Sequence, residues 1–159
     1  MWLFLFITHS MIVKKEVYKA SIAILEDKIA FSHSLLKELA QGAENASKSS
    51  AGDKHETGRA MVQLEQEKIG NQLLELEAMY NELQKLEHQN TSLTISKGSL
   101  IETTSGLFYL SVGLGKVIIE NTTFFVLSPQ SPFGKQLIGL KKGDVVMFNG
   151  KESKINMIC

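Results

Sequence analysis

AENASKSSAGDKHETG, residues 43–58, decides the fold, because an apolar rhythm stops here and resumes in reverse order beyond it. Upstream, Tyr18, Ile22, Leu25, Ile29, Ser32, Leu36, Leu39 and Ala43 follow one another by steps of four and three, the stripe of a helix with one apolar face. Downstream, Val62, Gln66, Ile69, Leu73, Leu76, Tyr80, Leu83 and Glu87 repeat the pattern. Paired from the outside in, 18 with 87, 22 with 83 and on to 43 with 62, they share one midpoint between Gly52 and Asp53. That is the register of an antiparallel hairpin, and it places a and d positions opposite one another as in a coiled coil. The expected first helix runs from about Val13 to Ala46, and the second from Asp53 to Glu87 or His88. Gly52 supplies a backbone that can reverse direction. Asp53 and Glu56 have the spacing of an N-cap and its N3 carboxylate. Arms of about 30 residues give a rod on the order of 45 Å long. Polar residues in the seam, Ser32 opposite Leu73, Gln66 opposite Leu39 and Glu87 opposite Tyr18, read as register-fixing positions.

Beyond the polar hinge near Gln89–Thr94 the period falls toward two, and β-branched and aromatic residues dominate. Strands are expected at 99–103, 106–112, 116–120, 122–127, 145–148 and around 154–157, with turns at 104–106, 113–115, 120–121 and Asn149–Gly150. Pro132 opens a short helix that Gly139 closes. The expectation is an α+β chain. Residues 1–12 form an apolar extension, 13–91 a long antiparallel coiled-coil hairpin with its tip at 48–58, and 92–159 a small antiparallel β domain with one short helix.

Composition narrows the function. With 17 acidic and 17 basic side chains the formal net charge is zero, so there is no global pull toward free nucleic acid. The single Cys159 cannot form an internal disulfide, which fits a reducing compartment, and the cytoplasm is the default. The opening apolar run is shorter than the roughly 20 residues of a membrane span, so no membrane partner is expected. His9, His33, His55 and His88 are scattered, without metal-ligand company. Phe108, Tyr109, Phe124, Phe125 and Phe148 read as sheet core. The pair with chemical potential is Asp53 and Glu56: two carboxylates at the end of a rod, able to hold a hard divalent ion once another site completes its coordination.

Gly52-Asp53 and Glu56 at a hairpin tip, with Ser131-Pro132, Leu137, Gly139 and Gly143-Asp144 in the β region, resemble the bacterial transcript cleavage factors GreA and GreB. The second motif there runs Ser-Pro-x-x-x-x-Leu-x-Gly, then a spacer and Gly-Asp. The resemblance covers the chain beyond about residue 12. It implies an FKBP-like β domain that sits on RNA polymerase at the mouth of its secondary channel, with Ser131, Pro132, Leu137, Gly139, Gly143 and Asp144 as the family's polymerase-binding motif, mostly structural in role. It also implies a hairpin whose Asp53 and Glu56 act as assisting catalytic carboxylates, sharing Mg²⁺ with the polymerase active site so that backtracked RNA is cleaved. The factor would be monomeric, with no cofactor of its own and no activity standing alone. Where the family continues with Asn, Ala, Glu and Tyr, this chain has Thr57, Gly58, Arg59 and Ala60. Arg59 brings a cation close to the acids, positioned to contact RNA phosphate or to screen them.

Overall fold

The structure, a computed structural model, describes the backbone of residues 2–47, 54–87 and 92–159, and side chains from 12–44, 56–87 and 92–159. Two long helices pack against each other, α1 (Trp2–Ser47) and α2 (Lys54–Gln84), and a six-stranded sheet follows. The first helix therefore starts well before Val13. The chain divides into two compact units, Ile24–Tyr80 on one hand and Met1–Ala23 with Asn81–Cys159 on the other.

In the Ile24–Tyr80 unit the buried stripe follows the expected spacing. Leu25, Ser32, Ile69 and Leu73 are buried, and Ile29, Leu36, Leu39, Ala43, Val62, Gln66, Leu76 and Tyr80 are half-buried. The Tyr80 hydroxyl donates to Glu26 Oε1 across the helices at 3.1 Å, one residue from the expected 25–80 pairing. His33 Nε2 lies 3.9 Å from Glu77 Oε1. Ser32, buried, satisfies its hydroxyl on its own helix by donating to the Lys28 carbonyl at 3.0 Å.

In the other unit, Val17, Ser21 and Leu83 are fully buried, and Ser21 donates to the Val17 carbonyl at 2.7 Å. The last turn after α2 tightens, with Leu86 N–H donating to Leu83 O and Glu87 N–H to Gln84 O; Leu86 is buried and Glu87 exposed.

The sheet contains β1 (Leu100–Thr103), β2 (Gly106–Leu110), β3 (Gly115–Ile119), β4 (Thr122–Leu127), β5 (Val145–Phe148) and β6 (Lys151–Ile158), with α3 (Pro132–Leu137) after β4. Its order is β3-β4-β2-β1-β6-β5. The expectation of a purely antiparallel sheet is corrected here, because β2 and β4 run parallel, Leu107 beside Phe124 through Leu110 beside Leu127. The cause is the way the β3–β4 hairpin docks. Its tight turn holds Glu120 (φ 45°) and Asn121 (φ 66°) in the left-handed region, and its second strand rather than its first lies along β2.

The two faces of the sheet differ. On one, Phe108 packs against Phe125, Phe133 and Phe148 with centroids 5.5, 5.1 and 5.2 Å away, within a cluster that includes Ile101, Leu110, Leu137, Val146 and Ile155. On the other lie Leu100, Tyr109, Phe124 and Val126. Burial pushes the Tyr109 phenol far above its usual range, with Tyr18 adding in the same direction. The aromatic residues named as sheet core thus divide between both faces.

Ser153 is fully buried opposite Val146, and among the described residues its hydroxyl has no hydrogen-bond partner. A stranded buried hydroxyl is costly, so Ser153→Ala is expected to raise the unfolding free energy by about 1 kcal/mol. A higher denaturant midpoint at unchanged m-value is the readout; a lower midpoint would assign the hydroxyl a favourable role.

Candidate functional site

Glu56 and the Ser131–Asp144 motif lie in different compact units. Asp53 falls outside the described residues. Glu56 does not: it stands in the first turn of α2, exposed, where the unpaired N–H groups of a helix start favour a negative charge. Arg59, exposed and three residues on, occupies a neighbouring position on the same helix surface. Gly58 between them meets no atom within 4 Å of where a side chain would start, so packing does not demand a glycine there. Among the described residues no group of three or more His, Cys, Asp or Glu side chains is arranged to hold a metal ion.

The second motif forms one continuous structural stretch. Ser131 is the N-cap of α3: its hydroxyl accepts from Gly134 N–H at 3.0 Å and donates to the Ser128 carbonyl at 2.7 Å. Pro132 takes the first helical position, where its missing N–H costs nothing. Leu137 is fully buried in the core beside Val146 and Ile155. Gly139 adopts φ 82° and donates to the Ile95 carbonyl at 2.8 Å, while Ile95 donates to Leu140 O at 2.8 Å. Gly143 donates to Ile155 O, and Asp144 Oδ2 accepts from Lys141 N–H at 2.7 Å. All six side chains or backbones have structural partners or places. Of the six, Pro132, Gly139, Gly143 and Asp144 are exposed.

Compared with known protein families, curated proteins and solved structures, the chain returns no match in any of the three. Its functional reading therefore rests on its own residues. Among the described residues no helix is long and apolar enough to cross a membrane.

Two features escaped the sequence reading. Glu82 pairs with both Lys97 and Lys85, the latter at 3.0 Å, and these partners pull its carboxyl down to about 2. The Lys97 contact spans 15 positions, so periodicity gave no sign of it. The other is a cavity of ≈ 330 Å³ on the Tyr109 side of the sheet, lined by residues of α1 and the sheet including Glu16, Glu102, Glu120, Leu107 and Phe124. Burial pushes the Lys14 ammonium of α1 downward in pKa, with an electrostatic contribution from Cys159 acting the other way. Glu102 did carry a signal, since it shares a strand face with the buried Leu100, where an apolar residue belongs.

Proposed function

We propose that this chain is a transcription elongation factor of Gre type, which binds RNA polymerase through the secondary channel and stimulates cleavage of backtracked RNA. In this reading the helix pair is a coiled coil with knobs-into-holes packing, the sheet unit is FKBP-like, and the factor works as a cytoplasmic monomer. The observation that carries it is the exposed Glu56 in the opening turn of α2, directly after Asp53, in a chain whose separate sheet unit holds the Ser131-Pro132 cap and the Gly143-Asp144 turn.

Carboxylates are the donors Mg²⁺ takes, so Glu56 with Asp53 fits a share in its coordination. Two such groups leave most of an octahedron to be completed by the polymerase, which accounts for a factor without activity of its own. A bound ion there supplies an activated water and charge stabilisation for phosphoryl chemistry. The helix start at Lys54 orients Glu56 on an exposed turn, and Arg59 places a cation one turn away that suits an RNA phosphate.

Asp53→Asn combined with Glu56→Gln is expected to slow RNA shortening in backtracked complexes by about a hundredfold, the loss that goes with several kcal/mol of charge stabilisation. Binding to polymerase should be unchanged. Cleavage at the parental rate in the double variant would remove the mechanism. A second reading, a channel-occupying regulator without cleavage activity, is favoured by Thr57, Gly58 and Arg59, which stand where the family carries Asn, Ala and a second acid. For it, the unaltered protein should bind polymerase and leave backtracked RNA intact.

A further inference from the structure

Across the Tyr109 face of the sheet, strand register sets Met157, Glu102, Leu107 and Phe124 side by side in one row. Three are apolar and one is a carboxylate, in the middle of a row where the pleat calls for a fourth apolar side chain. All four line the ≈ 330 Å³ cavity, together with the exposed Glu16 of α1 and Glu120 of the β3–β4 turn. Among the described residues ion pairs join His33 to Glu77, Lys68 to Glu65, and both Lys85 and Lys97 to Glu82. Glu16, Glu102 and Glu120 take part in none of these. Glu102 is half-buried in a row of apolar side chains, so a cation entering the cavity would meet its carboxylate directly beside apolar surface.

We propose that this cavity binds a small amphipathic amine. Its hydrocarbon body lies against Leu107, Phe124 and Met157, and its ammonium group pairs with Glu102, with Glu16 and Glu120 adding to the negative field. The volume is that of a small-molecule site and is too little for a helix or an extended peptide of several residues. Apolar walls alone would take any greasy ligand of this size. Three acidic residues, from α1, β1 and the β3–β4 turn, line this one space, and their charge favours a cation over a fatty acid or a phosphate ester.

Titrating the full chain with 4-phenylbutylamine, 4-phenylbutanol and 4-phenylbutyrate, followed by amide nitrogen–proton correlation spectra, tests this. The amine should shift the amides of Leu107, Phe124 and Met157 and bind about tenfold more tightly than the alcohol, the ratio expected of one charge-assisted hydrogen bond. The acid should not bind. Glu102→Gln should cost the amine about tenfold and leave the alcohol unchanged, its own spectrum in the absence of ligand reporting that the fold is kept. If Glu102→Gln does not fold, the exposed double substitution Glu16→Gln with Glu120→Gln should weaken the amine by a smaller factor. Equal binding of amine and alcohol overturns the proposal. So do shifts confined to other parts of the sheet, an affinity indifferent to all these substitutions, or binding by a Lys- and Leu-containing peptide alone.

Discussion

Gly134→Ala is expected to cost the sheet unit about 4 kcal/mol, enough to unfold a domain of ordinary stability at moderate temperature. The reason is steric. A Cβ at this buried position would stand 2.1 Å from the Ser128 carbonyl oxygen, 2.8 Å from Ser131 Oγ and 3.1 Å from Pro129 Cα. The nearest obstacle is backbone, which no rotamer change can clear. Relief requires breaking the Ser131 cap, since Ser128 O accepts from both Ser131 N–H and Ser131 Oγ, and Gly134 N–H donates to that same hydroxyl. Gly139→Ala offers the comparison: open space surrounds it, but φ 82° disfavours a side chain, and about 1–2 kcal/mol is the expected loss. Thermal unfolding of both variants, read by near-ultraviolet circular dichroism, separates the effects. Equal, small losses would mean that the Ser128–Ser131 turn yields easily.

Phe108→Ala is expected to be of the same order, about 3–5 kcal/mol. Phe108 is fully buried and touches three rings, of which Phe133 comes from α3 and Phe148 from β5. Truncation leaves a void between the helix and the sheet that the remaining rings cannot close, because Phe133 and Phe148 are already in contact with centroids 4.7 Å apart. Denaturant titration should show a lower midpoint. Phe108→Leu, which keeps most of the volume, should recover over half of the loss. If alanine and leucine behave alike, the void is not what destabilises the variant.

Much of this architecture is written locally. The apolar stripes from Leu25 to Ala43 and Val62 to Tyr80 are the residues that become buried or half-buried, since helix period alone fixes which face meets a partner. The hairpin turn at Asn149–Gly150, with φ of 49° and 76°, and the α3 cap at Ser131 follow equally from residue type. What was not legible depends on distant pairing. Nothing within 115–127 states that β4 rather than β3 lies against β2, because both strands carry an unbroken apolar run, Val117–Ile119 and Phe124–Leu127, and either edge could serve. The onset of α1 at Trp2 was not legible either, because a short apolar run carries no helical period of its own. For the site, Glu56 could be placed on the first turn of a helix from spacing alone, whereas the setting of Glu102 needed three strand registers at once.

One compact unit is drawn from both ends of the sequence, Met1–Ala23 and Asn81–Cys159, and the other occupies the interval between. In genetic terms the hairpin is an insert whose length can drift without rewriting its host. Removing seven residues from each arm at matched positions would shorten it by about 10 Å and preserve the phase of the apolar stripes, because seven residues make nearly two whole turns. The host unit keeps every one of its residues under such an edit. Span and scaffold are therefore free to evolve separately, the first in heptad steps and the second by ordinary point substitution.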